Sequence, residues 1–183
     1  PYSCTFCDWG SLTASKVKKF KLDKVLAEIE WFADKKVKFI MTADANFGIF
    51  KDRDVEIAKA MKKSKQKNPG LQGIAFSFLK NKTDSIISVA REVKDLMHNG
   101  VSLSVQSLDP HTLKMIKRDN MEINDIGALM QKLTEEGIGY YTELILGLPG
   151  ETLESWKQNI WKLYEVGFHK SISVYQLISA TNT

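Results

Sequence analysis

No methionine opens this chain, cysteine is nearly missing from it, and no apolar run is long. The 183 residues include two cysteines, three histidines and four prolines. So few cysteines exclude a multi-disulfide secreted scaffold and favour a reducing, cytoplasmic setting. No apolar stretch approaches the roughly 18 residues of a membrane span, and no signal peptide leads the sequence. His98, His111 and His169 stand at no ligand spacing from the cysteines or from one another, which argues against structural zinc. Neither a G-x-G-x-x-G fingerprint nor a phosphate loop ending in lysine-serine or lysine-threonine is found.

What is present reads as one large domain able to bury a substantial core. Composition is 43% hydrophobic and 26% charged, with a net charge of +4. Basic residues gather at Lys16 to Lys24 and Lys59 to Lys67. No aromatic residue interleaves with the second cluster, so both read as solvated helix faces or ends, and no nucleic-acid partner is expected.

Strands and helices alternate. Apolar runs at Val37 to Thr42, Gly73 to Phe78, Val101 to Val105, Tyr140 to Leu146 and Ser171 to Tyr175 predict five strands. Three-and-four spacing fills the gaps: Leu22 to Phe32, Val55 to Met61, Ile86 to Leu96, a short piece near Thr112 to Lys117, Ile123 to Leu133, and Trp156 to Leu163. Gly100, Gly137 and Gly167 follow three of these helices and predict left-handed C-caps. The pattern means crossover units and a parallel sheet, whether doubly wound or a full or partial barrel. Either form gathers the loops after the strands on one edge, where ligands bind.

Unusual polar residues fall on that edge. Asp44 and Asn46 follow the first strand, Ser104 and Gln106 end the third, and Glu143 interrupts the fourth. Such groups are costly in a buried strand unless paired or used. For Gln106 and Asn46 the plain alternative is turn or cap bonding; for Glu143 it is a core lysine or arginine. Gly147 to Gly150 is a tight turn whose glycines would let backbone approach a flat ligand. At the start of the chain, Cys4 and Cys7 form a C-x-x-C pair. Two thiolates alone do not complete a structural zinc or iron-sulfur site. The pair is either a dithiol redox element or part of a larger ligand set, and an opening Pro1 is consistent with a cut from something longer.

Together these motifs resemble those of radical S-adenosylmethionine (SAM) enzymes. Pro1 to Cys7 is similar to the end of their C-x-x-x-C-x-aromatic-C motif, with Phe6 as the aromatic residue; the first cysteine would then immediately precede Pro1. Ser104 to Asp109 and Glu143 to Thr152 resemble the family's fourth and fifth strands. Asp8 to Ser11 together with Ala43 to Gly48 look most like the branch associated with cobalamin-binding domains. The resemblance spans Cys4 to about Tyr175. It implies a partial six-stranded parallel β/α barrel, TIM-barrel-like, with its first strand missing here, so that residues 1–183 are a catalytic core.

The resemblance also implies chemistry. Cys4, Cys7 and a third cysteine would hold a 4Fe-4S cluster, with SAM on the open iron. Reductive cleavage would give a 5′-deoxyadenosyl radical that takes hydrogen from a substrate. Asp44 stands where many relatives carry Gly-Gly-Glu and would accept from the methionyl ammonium, with Asn46 beside it. Ser104, Gln106 and Glu143 point toward the ribose and methionyl end, and Arg118 toward the carboxylate. The plain alternative for Arg118 is a solvated helix residue. Phe6 and Tyr175 would flank the adenine, with backbone at Gly147 reading its edge; Phe6 fits plain packing as well. Trp9 would shield the cluster. A reductant such as flavodoxin or ferredoxin is implied, and cobalamin would sit on an upstream domain if methyl transfer is the reaction. Other readings are a cobalamin-independent oxidase or methylthiotransferase, a C-x-x-C redox or metal-binding module, and a non-catalytic α/β binding domain.

Overall fold

The computed structural model describes residues 4–6, 17–169 and 171–179. They alternate in the expected order, and the chain divides into two compact units. Among the described residues all strand pairs are parallel and fall in a two-stranded and a three-stranded sheet, neither of them closed, an alternating α/β arrangement.

The first unit comprises Lys19–Leu103 and Ala128–Tyr141. Helix α1 (Leu22–Asp34) leads to strand β1 (Phe39–Met41), α2 (Lys51–Lys67), β2 (Gly73–Ala75), α3 (Thr83–Val93) and β3 (Val101–Ser102). β1 pairs with β2, placing Ile40 opposite Ile74. Apolar faces of α2 (Ile57, Ala58, Met61) and α3 (Ile86, Val89, Ala90, Val93) form the core with Ile74. Only Ile40 of β1 is buried, and Met41 is 77% exposed, so β1 departs from the all-buried parallel strand its apolar run predicts. The basic stretch at the end of α2 is engaged within the unit. Lys67 lies 2.6 Å from Asp34, and Lys65 donates to the carbonyls of Pro69 and Leu71.

The second unit comprises Pro1–Lys18, Ser104–Gly127 and Thr142–Thr183. It holds α4 (Pro110–Met115), α6 (Leu153–Glu165) and β5 (Ile172–Gln176). Helix α5 (Ile123–Glu135) and strand β4 (Tyr140–Leu146) contribute residues to both units. In the first unit Val101 pairs with Tyr140; in the second, Thr142 to Leu146 pair with Ile172 to Gln176. Asp109 caps α4 by accepting from the Thr112 N–H at 2.7 Å, and Thr152 with Ser155 forms a capping box on α6. Asn159, fully buried on α6, accepts from the Leu108 N–H at 2.9 Å and donates to Ser107 Oγ at 3.2 Å.

Two of the three predicted glycine terminators act as expected. After α5 and α6, the N–H groups of Ile138 and Phe168 bond back to the carbonyls of Leu133 and Leu163, each at 2.8 Å. That is the Schellman closure, with Gly137 and Gly167 at φ +66° and +92° supplying the left-handed residue. Gly100 does something else. Helix α3 stops at Val93, so Gly100 opens β3, where a Cβ would lie 2.2 Å from the Gly139 carbonyl oxygen. Close backbone approach, and not capping, demands glycine there.

Candidate functional site

The predicted third strand breaks off early, and the break builds the site of the second unit. β3 ends at Ser102; the Leu103 N–H still donates to the Tyr141 carbonyl at 2.8 Å, and the chain turns only at Val105 to Ser107. Ser107 N–H bonds to the Val105 carbonyl at 2.8 Å, a three-residue turn centred on Gln106 at φ +65°. This positive-φ form is uncommon and strained for a residue with a side chain. Gln106 nevertheless stays in register with β4: its N–H donates to the Glu143 carbonyl at 2.8 Å, and its carbonyl accepts from Ile145 N–H at 2.9 Å. Glu143, half-buried, accepts a hydrogen bond from Ser104 Oγ. Among the described residues the strand carboxylate therefore has a hydroxyl partner and not a core cation.

Arg118 is reached by a similar device. Helix α4 closes with Arg118 N–H on the Leu113 carbonyl at 3.0 Å, which puts Lys117 at φ +51° where glycine would be ordinary. The reversal buries Arg118, leaving it 4% exposed. It is neither solvated nor helical, contrary to the plain alternative. Its Nε donates to Asn120 Oδ1 at 2.8 Å and to the Val105 carbonyl at 3.2 Å, and its Nη2 to the Ser104 carbonyl. Nη1 lies 3.8 Å from Cys4 Sγ as donor, and the guanidinium carbon sits 5.8 Å from the Phe6 ring centroid. Phe6 therefore stacks on a cation here. Cys4 is buried, forms no disulfide, and its segment is pinned by the Thr5 N–H on the Ile116 carbonyl at 3.0 Å.

Cys4, Phe6, Ser104, Gln106, Arg118 and Glu143 thus lie in one unit and are linked by these contacts. Gly147 and Tyr175 share that unit. Gly147, at φ +89°, donates its N–H to Glu151 Oε2 at 2.7 Å, while Glu151 Oε1 is buried without a hydrogen-bond partner among the described residues. Tyr175, opposite Ile145 on β5, is 54% exposed.

Asp44 and Asn46 belong to the first unit, on the loop after β1. That loop is held by Asp54, which sequence reasoning missed because an aspartate in the first turn of a helix looks ordinary. Asp54 is 3% exposed; its Oδ2 accepts from the N–H groups of Gly48 at 2.9 Å and Phe50 at 3.1 Å, and Oδ1 pairs with Arg53 at 3.2 Å. Asp44 is exposed by surface area but packed on one side. Desolvation there, followed by the Asp54 charge, raises its carboxyl above the ordinary aspartate value, and Arg53 opposes them. Among the described residues Asn46 Oδ1 is buried with no hydrogen-bond partner, so turn bonding there does not account for that side chain. Asn120, also missed, carries no pattern signal at all.

A family model described as the Radical SAM superfamily matches residues 1–160. The chain belongs to the radical SAM superfamily. Its relatives include the cobalamin-dependent radical SAM methyltransferase TokK of Streptomyces tokunonensis, 40% identical over 97% of this chain and 26% of that protein. The 2-(S-pantetheinyl)-carbapenam-3-carboxylate methyltransferase of Streptantibioticus cattleyicolor is also 40% identical, over 96% of this chain and 26% of its own length. Among solved structures, the radical SAM methyltransferase TsrM of Kitasatospora setae superposes with a TM-score of 0.72 at 16% identity, over 95% of this chain and 33% of that one. The chain therefore spans about a quarter of the length of each of these two curated relatives.

In this radical SAM chain Cys7 and Trp9 lie outside the described residues. Among the described residues no three histidine, cysteine, aspartate or glutamate side chains group as a metal site, and no helix is long and apolar enough to cross a membrane. His169 stacks edge-on against Tyr164, with centroids 4.8 Å apart.

Proposed function

We propose that residues 1–183 form the catalytic core of a radical SAM enzyme that transfers a methyl group with cobalamin bound outside this core. The observation that carries this is 40% identity along 97% of the chain with a relative named as a cobalamin-dependent radical SAM methyltransferase. On this reading the five strands belong to a partial (β/α)6 barrel. A cytoplasmic setting and an external one-electron donor such as flavodoxin or ferredoxin go with it.

The donor chemistry fits the implied groups. Cys4 offers a buried, unbridged sulfur beside a fixed cation, as an anionic thiolate ligand requires. With Cys7 and a third thiolate it would hold a 4Fe-4S cluster. In its own unit, the loop after β1 offers an open carboxylate at Asp44 and the orphaned acceptor Asn46 Oδ1, both suited to an ammonium. Ser104 and Glu143 offer hydroxyl and carboxylate oxygens suited to ribose, as Gln106 offers an amide and Tyr175 a face for adenine beside backbone at Gly147. Arg118, whose Nε and Nη2 already donate to Asn120, Val105 and Ser104, would act on a carboxylate mainly as a nearby positive charge. Cluster and SAM, when bound, supply the one-electron chemistry, and these side chains bind, orient and exclude water.

Anaerobic reconstitution of the full-length protein with iron and sulfide tests the proposal. Broad visible absorption, an electron-paramagnetic signal altered by SAM, and passage of a deuterated methyl group from SAM to product are expected. Wild-type protein that binds no iron, or a Cys4→Ser variant with undiminished cluster, overturns it. Cluster formation and SAM cleavage without cobalamin binding would favour the oxidase or methylthiotransferase alternative.

A further inference from the structure

We propose that Asn120 is a positioning residue that aims the Arg118 guanidinium at the Cys4 sulfur, so that Arg118 tunes the reduction potential of a cluster held there. The inference rests on the reading of Cys4 as a cluster ligand. It starts from the Asn120 amide, whose three roles are all filled. Nδ2 donates to the Val105 carbonyl at 2.9 Å and to the Ser107 carbonyl at 2.8 Å. With both donors so engaged the amide has one orientation, and Oδ1 is the atom that meets Arg118 Nε at 2.8 Å.

A guanidinium is planar, so fixing two of its edges fixes the third. Nε is held by Asn120 Oδ1 and the Val105 carbonyl, and Nη2 by the Ser104 carbonyl. Nη1 is thereby directed toward Cys4 Sγ, 3.8 Å away, with the Phe6 ring against the guanidinium. The backbone cooperates: the left-handed turn at Lys117 brings residue 118 inward from α4, and Asn120 ties the residues beyond it to the strained Val105–Ser107 turn. A hydrogen bond and a positive charge on a cluster sulfur stabilise the more negative, reduced cluster and raise its potential. Arg118→Lys would keep the charge but lose the two-edged hold. Asn120→Asp would keep an acceptor but lose both donors and bring a negative charge to the same place.

The test is a redox titration of the SAM-free cluster in reconstituted full-length protein, followed by electron paramagnetic resonance. Asn120→Ser, Asn120→Asp and Arg118→Lys are each compared with wild type at matched iron content. The expected result is a shift of the reduction equilibrium toward the oxidised cluster by about tenfold, or about 59 mV for one electron. Asn120→Ser combined with Arg118→Lys should shift no further than Arg118→Lys alone, because one residue acts through the other. An unchanged potential in both Asn120 variants, or additive shifts in the double variant, overturns the positioning role. Unchanged potential in Arg118→Lys, with weakened SAM binding instead, overturns the action on Cys4. Should Asn120→Asp fail to fold, Asn120→Ser and Arg118→Lys carry the same comparison. Wild-type protein that forms no cluster refutes the family chemistry itself, a separate outcome.

Discussion

Asp54→Ala should destabilise the first unit by about 2–4 kcal/mol, and the figure follows from the bonds it breaks. One carboxylate oxygen accepts two backbone N–H groups, at Gly48 and Phe50, and the other pairs with Arg53. Gly48 is buried, and a Cβ there would lie 2.5 Å from Leu79 Cδ2, so its N–H has no easy route to water. Leaving a buried donor unsatisfied costs about 1–3 kcal/mol, and the half-buried Phe50 donor about 1 kcal/mol more. Asp54→Asn can place its carbonyl oxygen at the position of Oδ2. It should lose only the Arg53 pair, about 1 kcal/mol. For a chain of this length, 2–4 kcal/mol lowers the melting midpoint by roughly 4–16 °C. Circular-dichroism melts should rank wild type, Asn and Ala in that order. Hydrogen exchange should lose protection at Gly48 and Phe50 specifically. Equal stability of the Ala and Asn variants, or unchanged protection at those two amides, would refute the reasoning.

Two further changes test the local geometry of the second unit. Lys117→Gly should stabilise by about 1 kcal/mol in urea unfolding, because Lys117 holds a left-handed conformation at φ +51° that costs a side chain about that much. An unchanged or lower midpoint would count against the strain. Asp109→Ala should cost about 1 kcal/mol at neutral pH through loss of the α4 cap. The Thr112 N–H, and then its hydroxyl, lower the Asp109 pKa despite some desolvation. A depressed carboxylate stabilises fully above its unfolded value, about 3.9, and loses that stabilisation as pH falls through its folded value. The gap between wild type and Asp109→Ala should therefore narrow below about pH 4; a gap independent of pH would exclude the ionised cap.

Elements with strong local signals were legible. β4 occupies Tyr140–Leu146 as read, since an apolar run between Gly139 and Gly147 has few alternatives. The ends of α5 and α6 were marked by glycine and closed by buried apolar pairs, Leu133 with Ile138 and Leu163 with Phe168. The third strand was overread by three residues. Val105 looks like strand in sequence, yet the chain turns at Gln106, whose backbone keeps its bonds to β4 while Arg118 and Asn120 take the Ser104, Val105 and Ser107 carbonyls. Arg118 was singled out, but not the direction of its donors, and a lysine in a left-handed cap gives no warning of the turn that buries it.

Local chemistry and order along the chain were sufficient to determine the α/β rhythm, the Cys4 thiol, the polar residues at strand ends and the family, because periodicity and short motifs are properties of neighbouring residues. Only the tertiary structure decided which groups answer one another. Asn120 meets Arg118 and Arg118 meets Cys4 across 114 positions of chain. Asp54 governs the loop of Asp44 and Asn46 from inside a helix. Hydrogen bonds depend on distance and angle between atoms in space, and spacing in sequence does not encode them.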